Sequence, residues 1–295
     1  MFAVRTDLAS ELAENGIAGF SSTKQISKGV EITTVTLAHD DAQSGKRAGV
    51  YMTADIGRIW ECGREEFERA AAVTAELIAR VMPTGGEKSG VLAVGLGNGS
   101  ITGDAIGPRA VAKMLVTKHI KGSDPALYAG AGFGCLAAFA PGVLGQTGIE
   151  SSELVRCAAK SCGASCVIVI DALASRRLAR LGTTVQITDS GISPGSGVYN
   201  DRRGLDRQTL GIPVIAVGVP TVVDAATLAH DLLEQAGGRM DEATERAIFE
   251  TGSRMFVSPK ECDVMTEKIS RFLADAVDLA VHRELTLAEM QEYTA

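Results

Sequence analysis

Two aspartates stand in contexts where a carboxylate can do chemistry. Asp104 lies in VLAVGLGNGSITGDAIGP, residues 91–108, and Asp171 follows the run Cys166-Val-Ile-Val-Ile. Val91 to Val94 is a short apolar run bounded by glycine, the pattern of a buried strand. Cys166 to Ile170 is apolar and β-branched, the composition of a strand buried on both faces. Gly95, Gly97 and Gly99 allow a tight turn after the first run, and Asn98 suits a bond to its own neighbouring backbone. Thr102 is placed to cap a helix running through Ala110, Val111 and Met114, with Asp104 in its first turn. Both aspartates are therefore expected at the carboxyl ends of parallel strands, the edge where open α/β sheets bind ligands.

Two facing carboxylates cannot both ionise cheaply, so one is driven to hold a proton. Such a pair can divide the work of hydrolysis: one takes a proton from water and the other protonates a leaving amide nitrogen. Strand-end carboxylates can instead hold a divalent cation, or simply cap strand-to-helix turns. The glycine turn lacks the G-x-G-x-x-G register of a dinucleotide site. Residues 141–149, with Gly142, Gly145, Gln146, Thr147 and Gly148, offer amide donors for a carbonyl or oxyanion, or a helix entry capped by Thr147. The loop from Ser193 to Gly204 carries Ser196, Asn200, Arg202 and Arg203. Its arginine pair could receive an acidic side chain bidentately, or be a solvated surface. No G-x-S-x-G elbow is present, and His39, His119, His230 and His282 are not tied by spacing to a serine or cysteine.

The elements that must position these residues follow the hydrophobic pattern. Residues 1–28 read as polar and irregular, with one short helix near Leu8 to Glu14. Val30 to Leu37 and Ala48 to Thr53 read as a hairpin. Glu61 to Val81 reads as an amphipathic helix ended by Pro83-Thr-Gly-Gly. Leu136 to Phe139 is a short apolar segment, and Glu153 to Lys160 is helical. Thr183 to Thr188 and Pro213 to Val217 read as strands. A helix is expected from Thr221, with Asp224 in its first turn, and helices dominate from Asp241 onward. Residues 89–235 alternate strand and helix. That alternation predicts one α/β domain over 1–295, with a mainly parallel doubly wound sheet, an N-terminal hairpin and C-terminal helices.

Composition narrows the function classes. A net charge of −7 argues against a general nucleic-acid surface. No run approaches the roughly 18 apolar residues of a membrane span. The N-terminus has no apolar core of a secretory signal, and cytoplasmic placement is expected. Cys157, Cys162 and Cys166 lack zinc-knuckle spacing and a nearby histidine, so plain thiols are expected rather than a metal cluster. No cofactor is implied.

The strings VLAVGLGN…TGDAIGP (91–108), APGVLGQTGIES (140–151), VIVIDALASR (167–176), TVQITDSGISPGSGVYNDR (184–202) and LGIPVIAVGVPTVVDA (210–225) resemble the germination proteases of spore-forming bacteria. FVSPKECDV (256–264) and VRTDLA (4–9) resemble them too, so the likeness runs in order along nearly the whole chain. It implies an atypical aspartic-type endopeptidase, made as a homotetrameric zymogen in the forespore, that degrades small acid-soluble spore proteins at germination. It implies that the essential aspartates are Asp104 and Asp171, that cleavage follows glutamate, and that self-cleavage between Asp7 and Leu8 removes a propeptide of residues 1–7. Substrate positioning would fall to Asn98, Gly145, Gln146, Thr147, Ser196, Asn200, Arg202 and Arg203. The chain also resembles, more distantly, the hydrogenase-maturation proteases, which use a metal and a further histidine. No histidine here matches that one, but a metal-dependent maturation protease acting on one partner is the alternative reading.

Overall fold

The computed structural model describes residues 6–14, 19–42, 44–85, 89–193, 204–237, 241–252 and 255–294. The strands are β1 (Phe20–Ser27), β2 (Val30–Leu37), β3 (Gly49–Asp55), β4 (Val91–Gly95), β5 (Leu136–Phe139), β6 (Cys166–Ser175), β7 (Thr184–Thr188), β8 (Val214–Asp224) and β9 (Phe256–Val257). The helices that matter for the site are α1 (Ala9–Glu14), α2 (Arg64–Val81), α3 (Ile106–Val111), α4 (Ser151–Cys162), α5 (Ala225–Gln235), α6 (Glu242–Gly252) and α7 (Cys262–Val281).

The nine strands among the described residues join one sheet in the order β1-β2-β3-β7-β8-β6-β4-β5, with β9 added to the end of β8. The expected mainly parallel sheet is corrected here to a mixed one. Among the described residues β5, β4, β6 and β8 pair in parallel, and every other pairing is antiparallel. The physical reason is connection length. The β1, β2 and β3 segments follow one another through short turns, which join only antiparallel neighbours, whereas β4, β5, β6 and β8 are separated by helical crossovers.

Alternation sorts the strand residues between two apolar layers. Ala93, Ile168, Ile170, Val217 and Val219 face α2, α3 and α7, with Phe272 of α7 fully buried among them. Leu92, Val94, Val167 and Val169 face Val155 and Ala159 of α4. A smaller cluster of Val35, Leu37 and Tyr51 is covered by Ala9 of α1. The C-terminal end of α7 is tied in by polar bonds. Both carboxylate oxygens of Asp278 accept from the Leu115 amide at 3.1–3.2 Å. His282 accepts from the Gly134 amide at Nδ1, 3.1 Å, and its Nε2 lies 2.9 Å from the Leu115 carbonyl.

Three boundaries differ from the sequence pattern. Phe20–Ser27 is a strand and not irregular chain, an edge element with almost every side chain exposed. β6 runs on through Asp171 to Ser175, so Asp171 is not at a strand terminus. β8 runs through Gly218, Pro220 and Thr221 to Asp224, and α5 begins only at Ala225. No described helix is long and apolar enough to cross a membrane.

Candidate active site

The parallel part of the sheet sets the site. β4 pairs with β6 up to Gly95 opposite Ile170, and the Leu96 amide then donates to the Ile170 carbonyl at 2.8 Å. Past that point β4 turns away, while β6 continues paired with β8. Asp171 is thus the first β6 residue beyond the paired end of β4. It is buried, at 7% exposure, and its Oδ1 accepts from the following amide of Ala172 at 2.9 Å. Alternation gives it the parity of Val167 and Val169, the α4 side of the sheet.

The glycines make room for the turn. A Cβ at Gly95 would lie 2.1 Å from the Gly107 carbonyl oxygen, and one at Gly107 would lie 2.3 Å from that of Leu96 and 2.6 Å from that of Ile170. The backbone of α3 therefore crosses directly over the end of β4 and the middle of β6 at Ile170. Gly97 has φ +110, which only glycine adopts without strain, and its backbone touches Asp104.

Asp104 closes a short 3-10 turn, Thr102–Asp104, just ahead of α3. Thr102 is not the expected cap; its hydroxyl donates to Asp263 of α7 at 3.0 Å. The Asp104 carboxylate folds back instead onto the glycine turn, accepting from the Asn98 amide at 2.6 Å. The Asn98 side-chain oxygen in turn accepts from Gln146 Nε2 and the Ser100 amide, each at 3.0 Å. The structure thus joins Asp104, Asn98 and Gln146 in one hydrogen-bonded set. The turn they share, Leu96 to Asn98, runs beside Asp171 at one end and holds the Asp104 carboxylate at the other.

Other expected positions fare differently. Leu144–Thr147 is a single helical turn between Gly142 and Gly148, both with positive φ. The amides of Gln146, Thr147 and Gly148 are spent on carbonyls inside that turn. They do not point to an oxyanion, and the Thr147 hydroxyl also bonds locally, to Ile149. Gly145 sits in the same exposed turn with open space at its Cα. Ser196, Asn200, Arg202 and Arg203 lie outside the described residues. Asp7 and Leu8 lie away from the turn, where Asp7 pairs through its amide with the Ala174 carbonyl of β6 at 2.8 Å.

One supporting residue escaped the sequence reading. Thr221 is fully buried in β8, and its hydroxyl donates to the Gly103 carbonyl at 2.7 Å, holding the turn that carries Asp104. Its neighbour Pro220 made the segment look like a helix start. Elsewhere, a polar cavity of about 230 Å³ lined by Glu31, Thr53, Asp55, Arg177, Arg180 and Thr184 contains neither aspartate. The six cysteines are free thiols.

The family model described as germination protease matches residues 2–247. A germination protease of Caldanaerobacter subterraneus is 38% identical across 98% of this chain and 97% of its own length. One from Clostridium acetobutylicum is 37% identical across 99% of both chains. One from Bacillus subtilis is 42% identical across 79% of this chain and 67% of its own.

Proposed function

The chain belongs to the germination protease family, and from that premise we propose that Asp104 and Asp171 share the water that hydrolyses the peptide bond. The observation that supports this most is the Asn98 amide on the Asp104 carboxylate, in a turn that runs alongside Asp171. The pair shares one proton. The ionised member takes a proton from water as its oxygen attacks the scissile carbonyl carbon. The protonated member then donates to the departing nitrogen, and the carbon–nitrogen bond breaks. Asn98 and Gln146 hold the turn and present side-chain groups to the substrate backbone. The substrates are small acid-soluble spore proteins of the spore core, cut after glutamate. Arg202 and Arg203 receive that carboxylate; charge reversal there should change the cleavage sites, and unchanged selectivity would remove them from the role.

The test uses purified Asp104→Asn and Asp171→Asn proteins with a small acid-soluble spore protein, read by fragment mass. Each variant should lose at least about 100-fold in turnover, the usual scale of a general acid or base, while melting like the parent. Near-normal turnover in either variant sinks the scheme. Activity abolished by dialysis against a chelator would favour a metal-dependent peptidase instead.

The same premise supports processing between Asp7 and Leu8 and assembly as a homotetramer. Leu232, Leu233, Phe249, Met255 and Phe256 are exposed apolar side chains on α5, α6 and the β9 end, a surface suited to a second copy. Light scattering that returns a monomer would remove the assembly.

A further inference from the structure

The polar atoms of the peptide bond between Asp7 and Leu8 are fully engaged. The Asp7 carbonyl accepts from Lys46 Nζ at 2.7 Å and from Gln186 Nε2 at 3.1 Å. The Leu8 amide donates to Thr6 Oγ1 at 3.0 Å, and that hydroxyl donates to Glu11. The next amide, of Ala9, donates to Gln186 Oε1 at 2.7 Å, so one glutamine side chain grips the backbone on both sides of Leu8. Asp7 is also fastened to β6. Its amide donates to the Ala174 carbonyl and its carboxylate accepts from the Ala174 amide, both at 2.8 Å. Leu8 is fully buried, and α1 begins at the very next residue.

A bond held this way is poorly placed for hydrolysis. Water must reach the Asp7 carbonyl carbon and give it a hydroxyl, the carbon–nitrogen bond must break, and the Leu8 nitrogen must take a proton. Here the nitrogen is tucked against Thr6, and the chain beyond it is already helical rather than extended. The nearest proposed acid is also out of reach. Ala174 is three residues past Asp171, about 10 Å along a strand. A lysine donor is among the contacts that keep the segment there. Burial pushes the Lys46 ammonium below its ordinary range, and the Asp7 carboxylate beside it opposes that shift. Charge-assisted bonds are roughly twice as strong as neutral ones.

We propose that Lys46 is a positioning residue that parks the Asp7–Leu8 bond away from Asp104 and Asp171, so that self-cleavage waits on release of the Lys46 contact. This rests on the reading that Asp7–Leu8 is the processed bond. Gln186 is its neutral partner in the same clamp. The bond is protected by where it is held.

The experiment follows full-length protein as the parent, Lys46→Met and Lys46→Arg. Intact mass reads the fragment beginning at Leu8, and amide exchange reads Leu8 and Ala9. Losing one charge-assisted bond should speed both processing and exchange in Lys46→Met by about tenfold. Lys46→Arg keeps a charged donor and should stay near the parent. Hydrolysis of a separately supplied spore protein should be unchanged per processed copy. Processing at the parental rate or slower in Lys46→Met overturns the proposal. If no protein, the parent included, releases the fragment, the processing reading fails. Exchange then decides the clamp alone, and unchanged protection of Leu8 and Ala9 in Lys46→Met overturns it. Should Lys46→Met not fold, Gln186→Met takes its place: faster processing and exchange are expected, and parental rates overturn the proposal.

Discussion

At position 97 any side chain would collide with Asp104, because a Cβ there would lie 2.0 Å from its carbonyl oxygen and 2.9 Å from Oδ1. That closeness lets the Asn98 amide reach the carboxylate. The glycine turn was legible in the sequence, since a positive φ leaves a local mark; the expected strand-end placement was not met, because Asp171 lies inside β6 and Asp104 in the 3-10 turn ahead of α3. The Asn98–Gln146 bond spans 48 residues and left no such mark. A second pair of acids is shifted upward by burial. Burial pushes Asp278 up to about 7 and Asp275 up to about 6, the latter opposed by Arg271. Between the ordinary carboxylate value of 3.8 and these values, the folded state keeps a proton that the unfolded chain has lost. Their contribution therefore favours folding at the acid end and is lost as pH rises through about 7. Burial lowers His282, which works the other way, adding stability as pH rises towards its unfolded value of 6.5. Asp278→Asn should remove the larger carboxylate effect. Its thermal midpoint should fall less than the parent's between about pH 5 and pH 8, a difference on the order of 2 kcal/mol. Parallel melting curves against pH would contradict the assignment.

At the scale of elements, the crossing of α3 over the end of β4 and the middle of β6 decides where Asp104 stands. Gly107 sits at that crossing against the backbone of Leu96 and Ile170. Gly107→Ala should push α3 outward, destabilise the fold by about 3 kcal/mol and lower turnover more steeply than stability alone explains. A variant that melts and cleaves like the parent would show that the crossing does not set the site. The β2–β3 hairpin was readable because VEITTVTL is a β-branched run, with Val30 and Ile32 buried in one apolar cluster and Val35 and Leu37 in another. β1 was not, because FSSTKQIS is an exposed edge with no apolar face to betray it. The long ends of β6 and β8 were hidden by residues that usually break strands. Gly218 is the last β8 residue paired with β7, and beyond it Pro220 still pairs with Leu173 of β6 while its carbonyl accepts from the Gly182 amide at 2.7 Å, so the strand continues past the proline.

At the scale of the molecule, three antiparallel N-terminal strands extend a four-stranded parallel unit, and helices cover both faces. The parallel unit was foreseeable from alternating strand and helix. Its extension through β7 was not, because β7 pairs with β3 and β8 across long sequence separations. The segment around α1 is part of this architecture. Asp7 and Glu11 both place carboxylates on backbone amides of β6 and the residues just after it, at Ala174, Arg176 and Arg177. The proposed chemistry depends on Asp104 and Asp171 reaching one solvent molecule from opposite ends of the Leu96–Asn98 turn. A high-resolution crystal structure of the processed protein measures this directly. It should place a water within hydrogen-bond distance of both carboxylates, whose oxygens then lie within about 5.5 Å of each other. Carboxylates farther apart than that, or opening onto different faces of the sheet, would contradict it.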